Sequence, residues 1–153
     1  MNRIPVLILA VALAGTAAAP QALPIRPDPH LTPGATRNVT VVQLCPHADT
    51  AAVRDVPESE KLKVYAEYGI SKHPSGAFEI DHLISLELGG SNDIANLWPQ
   101  SYTTRPYNAH VKDKLENKLH ALVCAKKITL IEAQTAIRND WIAAYQKYSV
   151  AAP

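Results

Sequence analysis

Two adjacent residues, Asp81 and His82, carry the side chains best suited to chemistry, and Asn96 follows fourteen positions after His82. A neutral imidazole can accept a proton from water near pH 7, and a carboxylate can hold a divalent cation that stabilises a leaving oxygen. These are the groups that hydrolysis of a phosphodiester requires. Side chains of neighbouring strand residues point to opposite faces, so a bend or the twist of a hairpin must bring both to one site.

The residues that follow give this pair its context. A Gly-Gly turn at 89–90 separates His82 from Asn96, and a predicted helix begins near Asn108. In these motifs, residues 78–116 resemble the HNH endonuclease superfamily. The resemblance implies an α+β fold with one small domain. Its ββα-metal core would cover about residues 77–120, with a β-hairpin and a helix around one metal ion and further helices flanking them.

The resemblance also implies a role for each motif residue. His82 matches the general base, and Asn96 matches the catalytic-site residue that closes the hairpin and orients that base. Asp81 matches a metal ligand. For the ligand contributed by the helix, the sequence offers Asn108, with His110 as the alternative, because the gap from Asn96 is longer than is usual in the family.

Oxygen and nitrogen ligands favour Mg²⁺ or Mn²⁺ at such a site, with Zn²⁺ or Ni²⁺ as alternatives. Lys112 and Arg105 are the predicted phosphate-binding residues. They belong to a basic group that forms either a phosphate-facing patch or an ordinary charged helix face, since acidic residues are interleaved. The members of this group are Arg105, Lys112, Lys114, Lys118, Lys126 and Lys127.

The formal net charge of +1 excludes a strongly basic surface over the whole protein. The resemblance implies an endonuclease that acts on DNA, with RNA as the alternative substrate. We expect it to be a monomer, and the near-neutral charge favours low sequence specificity. Two hypotheses from other classes compete with this one. The first is a catalytically degenerate scaffold of the same fold that binds nucleic acid or a protein partner in the cell envelope. The second is a structural module that docks in the envelope.

The first eighteen residues have the layout of a secretory signal. Arg3 supplies the positive region, residues 4–14 are apolar, and small residues follow at 15–19. We predict a signal peptide over residues 1–18, cleaved after Ala18, with a retained N-terminal anchor as the alternative. The mature protein is expected in the periplasm or outside the cell, and no other segment is apolar enough to enter a membrane.

The remaining chain is long enough for one domain. Residues 19–38 are rich in proline, which predicts an extended segment, and residues 39–150 form the predicted nuclease domain. Within that domain we predict strands at 39–44 and 77–88, a returning arm at 91–96, and a helix at 57–68. Apolar residues at helical spacing predict two further helices, one at 108–124 and one from Thr129 onward.

The two cysteines, Cys45 and Cys124, would mature in an oxidising compartment if the chain is exported. A disulfide between them closes a loop of about eighty residues, which in the chain-entropy model removes roughly 4 kcal/mol of unfolded-state freedom. We predict this bridge, with two free buried thiols as the alternative.

Overall fold

The computed structural model describes residues 25–46 and 50–149. The predicted signal peptide and the first residues of the Pro-rich segment lie outside this range. The described residues form helices and one small two-stranded antiparallel sheet, which confirms the α+β class. None of the described helices is long and apolar enough to cross a membrane.

The sheet consists of β1 (Phe78–His82) and β2 (Leu97–Ser101), paired so that Asp81 lies opposite Trp98 and His82 opposite Leu97. The predicted strand at 77–88 is therefore too long, and the returning arm starts later than predicted. Between the strands the chain makes two 3₁₀ turns, Leu86–Leu88 and Ile94–Asn96. These turns form because the buried Asn96 side chain bonds the backbone where strand pairing would otherwise continue.

The Gly-Gly turn is confirmed, and at both positions there is a steric reason for glycine. Gly89 has φ +79°, a left-handed conformation that costs glycine little. A Cβ on Gly90 would lie 1.7 Å from the carbonyl oxygen of Ile84. This close approach brings the backbone of the turn against the end of β1.

Two long helices follow the sheet and pack against each other. The first is α3 (Ala109–Cys124), and the second is α4 (Leu130–Ser149), which kinks at Asp140. Both helices confirm the prediction made from the spacing of apolar residues. Thr129 and Glu132 form the predicted capping box. The core between them and the 3₁₀ turns is apolar: Ile84, Leu88, Leu115, Leu119, Val123, Ala133, Ile137 and Trp141.

Two shorter helices precede the sheet. The helix α2 (Glu58–Glu67) confirms the prediction at 57–68. The strand predicted at 39–44 is wrong, because Val41–Leu44 forms the one-turn helix α1. Reciprocal capping between Thr40 and Gln43 outweighs the strand preference of the valines.

The described part of the Pro-rich segment, residues 25–38, runs along the domain. Its contacts reach α4, where Trp141 donates to the carbonyl of Ile25 at 2.9 Å and Arg26 pairs with Asp140 at 3.1 Å. Further along, Thr32 donates to the carbonyl of Leu97 at 2.8 Å and is 1 % exposed. Residues 25–38 are therefore bound to the fold.

The predicted disulfide between Cys45 and Cys124 is confirmed and joins the end of α1 to the end of α3. The cysteines are 79 positions apart, so the bridge restricts a large part of the unfolded chain. A disulfide is consistent with maturation in an oxidising compartment.

Replacing Cys45 and Cys124 together by alanine is expected to lower the free energy of unfolding by about 2–4 kcal/mol, because the unfolded chain regains the freedom of the closed loop. Urea denaturation of the oxidised wild type, the reduced wild type and the double variant measures this. The reduced wild type should match the double variant. Coincident urea midpoints for all three proteins would contradict the prediction.

Candidate functional site

Asp81 and His82 end β1 and are both buried, with 8 % and 1 % of their surface exposed. Their side chains leave opposite faces of the strand, and no bend brings them together. The Asp81 carboxylate contacts Lys112 of α3, whereas the His82 ring contacts Asn92 in the loop before β2. The direct link between the two residues is a hydrogen bond from the backbone N–H of His82 to Oδ1 of Asp81, at 2.8 Å.

The hydrogen bonds of Asn92 fix the proton on the His82 ring. Nδ2 of Asn92 donates to the carbonyl of Val53 at 2.9 Å, so its Oδ1 faces Nε2 of His82 at 3.0 Å. Nε2 must then carry the hydrogen, which leaves a lone pair on Nδ1. This Nδ1 is buried and has no hydrogen-bond partner among the described residues.

Burial lowers the pKa of His82 below its ordinary value, and the hydrogen bond with Asn92 opposes that shift only in part. The ring is therefore neutral near pH 7. Neutral imidazole with a free lone pair is the form that can accept a proton.

Asn96 is 0 % exposed and ties the end of β1 to the loop. Its Oδ1 accepts from the backbone N–H of Ile84 at 3.0 Å and from that of Ala35 at 3.4 Å. Its Nδ2 donates to the carbonyls of Ile84 and Ser91, at 3.0 and 2.8 Å. Both polar atoms of the Asn96 side chain are hydrogen-bonded to backbone groups. Asn96 therefore closes the turn and makes no hydrogen bond with the His82 ring.

Lys112 does not lie on the surface where a phosphate-binding role would place it. Its side chain is 0 % exposed, and its ammonium donates to Oδ2 of Asp81 and to the carbonyl of His82, each at 2.7 Å, and also to Glu116. All three N–H bonds are thus used inside the protein. Burial alone would lower the pKa of Lys112, but the two carboxylates raise it above its ordinary value.

The other predicted ligands also lie elsewhere. Asn108 is the N-cap of α3, where its Oδ1 accepts from the backbone N–H of Val111 at 3.1 Å. His110 is exposed on α3, with Nδ1 3.8 Å from Asp113. Neither side chain is hydrogen-bonded to Asp81. Arg105 is exposed in the loop before α3.

These placements do not fit the divalent cation expected at Asp81. One carboxylate oxygen already pairs with an ammonium, and the other accepts a backbone N–H. A second cation at this carboxylate would be repelled by Lys112 in a poorly solvated environment. Within the described ranges, Asp81 also belongs to no close group of three His, Cys, Asp or Glu side chains.

A possible metal site lies instead at the disulfide. The sulfurs of Cys45 and Cys124 and a ring nitrogen of His120 all lie within 4.8 Å of one another. The two sulfurs form a disulfide here, so they are not thiolate ligands. His120, which lies on α3, is buried and bonded to the carbonyl of Leu44.

An open groove of about 670 Å³ runs beside β1. Phe78, Glu79 and Ile80 line it, so the groove runs along the first part of β1, whereas His82 at the end of the strand is not among the lining residues. Arg54 also lines it, and its charge adds to burial in lowering the pKa of His82. The backbone N–H of Arg54 donates to the carbonyl of Thr50, but its guanidinium makes no hydrogen bond or ion pair with a described residue, so it is available to an anion.

Glu79 adds a half-buried carboxylate on the face of β1 that carries Asp81. Its Oε2 accepts from the Tyr102 hydroxyl at 2.8 Å. Burial, and then the nearby charge of Asp81, raise the pKa of Glu79 from its ordinary value near 4.5 to about 7. Sequence analysis missed this shift because it depends on how deeply the hairpin is covered.

Replacing Glu79 with glutamine is expected to stabilise the protein at pH 8 by about 1–3 kcal/mol and to leave it unchanged at pH 4. Because the folded-state pKa is raised, ionisation between about pH 4.5 and 7 favours the unfolded chain, so wild-type stability falls as pH rises through this window. Urea denaturation at pH 4, 6 and 8 measures the difference. Glu67→Gln, on the exposed side of α2, is the control, and parallel pH profiles for wild type and Glu79→Gln would contradict the prediction.

Three contributors to the site were missed altogether: Asn92, Arg54 and the partner role of Glu116. The spacing of Lys112 and Glu116 on one helix face was a usable signal. Asn92 has no comparable signal, because its partner Val53 is 39 positions away.

Comparison with known proteins adds no relative: no family model matches the chain, and no curated protein or solved structure matches it.

Proposed function

We propose that the chain is an exported phosphodiester hydrolase of the HNH type, an endonuclease that acts on DNA, with RNA as the alternative substrate. The observation that carries this proposal is the state of His82. Its ring is neutral, its tautomer is fixed by Asn92, and the lone pair of Nδ1 has no partner among the described residues.

In the proposed reaction, a water at Nδ1 of His82 gives up a proton to the ring as its oxygen attacks phosphorus. The bond from phosphorus to the 3′-oxygen breaks, the leaving 3′-oxygen takes a proton from solvent water and the His82 ring later returns its proton to solvent, which leaves a 5′-phosphate and a 3′-hydroxyl. Asn92 keeps the ring in the accepting tautomer throughout, and Arg54 in the groove supplies positive charge to the phosphate. Arg54 thus takes the role that Lys112 and Arg105 held in the sequence-based prediction.

The arrangement of secondary structure supports the same proposal. β1 carries Asp81 and His82 at its end, Asn96 precedes β2, and α3 packs next to the start of the loop between the strands. This is the order of a hairpin and helix that the resemblance implies for a ββα core. The hydrogen bonds from Asn96 to the backbone of Ile84 support the hairpin-closing part of the role that the resemblance implies, whereas the His82 ring is bonded to Asn92.

The degenerate scaffold remains the second candidate, and a specific observation favours it. His82 is 1 % exposed, and an ammonium occupies the carboxylate expected to hold a cation. A scaffold that binds without cutting would need neither an accessible base nor a metal.

The test is nicking of supercoiled plasmid by the oxidised protein, expressed with its own leader. Parallel reactions contain EDTA, Mg²⁺, Mn²⁺ or Ca²⁺, and a structured RNA is the second substrate. Nicking that is lost in a His82→Ala protein purified identically supports the hydrolase. Folded wild type that retains plasmid in a gel-shift assay but never nicks it identifies the scaffold, and folded protein that does neither overturns both.

A further inference from the structure

The ammonium of Lys112 lies at a point where three oxygen atoms converge. These are Oδ2 of Asp81, the carbonyl oxygen of His82 and Oε1 of Glu116. They come from the end of β1 and from the middle of α3, so one side chain joins the sheet to the helix. Two carboxylates and a carbonyl are the donor set that hard divalent cations take in proteins.

Four carboxyl groups lie at or near this point, and the ammonium contacts two of them. Asp81 and Glu116 contact it directly, and Asp113 and Glu79 lie close enough to act on their neighbours' ionisation. Lys112 occupies the position between the two carboxylates where a cation would sit.

We propose that the Lys112 ammonium takes the place of a divalent cation at Asp81, so that this centre assembles without metal and its oxygen donors form a latent cation site. Ca²⁺ takes six to eight oxygen ligands in flexible geometry, so the three oxygens here would supply part of its coordination and water the rest, whereas Mg²⁺ requires nearly octahedral contacts. Ca²⁺ is therefore the first ion to test. The inference concerns the assembly of the fold and holds whether or not the chain cuts nucleic acid.

The experiment removes the ammonium and asks whether a divalent ion replaces it. Thermal unfolding of oxidised, full-length protein is followed in EDTA, in Ca²⁺ and in Mg²⁺ for the wild type, Lys112→Ala and Lys112→Met. Lys112→Ala empties the space, whereas methionine fills it without charge. Lys114→Ala, an exposed lysine on the same helix, is the matched control.

For the wild type, and likewise for Lys114→Ala, the unfolding temperature in Ca²⁺ should equal that of the same protein in EDTA. Lys112→Ala should unfold at lower temperature in EDTA and rise by about 5 °C or more in millimolar Ca²⁺, with a smaller rise in Mg²⁺. Lys112→Met should not respond. Calorimetric titration of Lys112→Ala with Ca²⁺ should give one site per chain, and the further change Asp81→Asn should abolish it.

Two results would overturn the inference. One is a divalent ion bound by the wild type with a stoichiometry of one and lost in Asp81→Asn. The other is Lys112→Ala that shows no Ca²⁺ response, either as a folded protein or as an unfolded one that Ca²⁺ does not refold. Because these readouts measure ion binding and stability, a failure of the proposed hydrolase activity leaves them unaffected.

Discussion

Replacing His82 with alanine is expected to lower the rate of plasmid nicking by about 10²–10⁴-fold, the usual contribution of a positioned general base. The ring is a neutral imidazole whose Nδ1 lone pair has no hydrogen-bond partner among the described residues. Alanine removes the proton acceptor and leaves the attacking water without activation. The initial rate of conversion of supercoiled to nicked plasmid measures the effect.

The role of His82 as the general base also predicts how the nicking rate depends on pH. Burial lowers the pKa of His82, so the ring loses its proton below the ordinary histidine value near 6.5. Activity should be lost as pH falls through that lowered pKa, because the protonated ring cannot accept a proton, and it should be level by pH 7. A rate that keeps rising through pH 8 would assign the base to another group.

Two controls separate loss of chemistry from loss of structure. His110→Ala removes an exposed imidazole on α3 and should leave the rate unchanged, although sequence reasoning offered His110 as a metal ligand. Circular dichroism and the urea midpoint must show that His82→Ala is folded. Nicking at the wild-type rate by folded His82→Ala would reject His82 as the base.

The sequence predicts this site well where the determinants are local. Asp81 and His82 lie in a strand, Gly89 and Gly90 form a turn before Asn96, and α3 follows from apolar residues at helical spacing. Each of these features depends on residues within a few positions of one another. For that reason pattern and turn chemistry were sufficient.

Prediction from sequence fails where a side chain contacts a residue that is distant in the sequence. The helix around Lys112 has the composition of a surface helix. The Lys112 side chain nevertheless contacts Asp81, 31 positions earlier in the sequence, in the interior of the protein. Nothing in the local pattern distinguishes it from Lys114, which is exposed. A buried charge of this kind is decided by tertiary packing, which also decided that Asp81 would face a lysine instead of a metal.

Asn96→Ala is expected to lower the free energy of unfolding by about 3–5 kcal/mol, because several buried backbone groups lose their partner together. The change leaves the backbone N–H and carbonyl of Ile84 and the carbonyl of Ser91 without their side-chain partner. An unsatisfied buried polar group costs about 1–3 kcal/mol, and the turn is too tightly packed at Gly90 for water to replace the amide fully. Urea denaturation measures the loss, and Asn139→Ala, exposed on α4, is the control.

The effect of Asn96→Ala on activity should be distinct from that of His82→Ala. The Asn96 side chain touches backbone only, so it positions the end of β1 and takes no part in proton transfer. At a temperature where the variant is folded, its rate should fall less than that of His82→Ala, and its pH profile should keep the wild-type midpoint. Hydrogen exchange of the Ile84 amide should accelerate at the same time. A variant with wild-type stability and a shifted pH midpoint would instead place Asn96 in contact with the reacting groups.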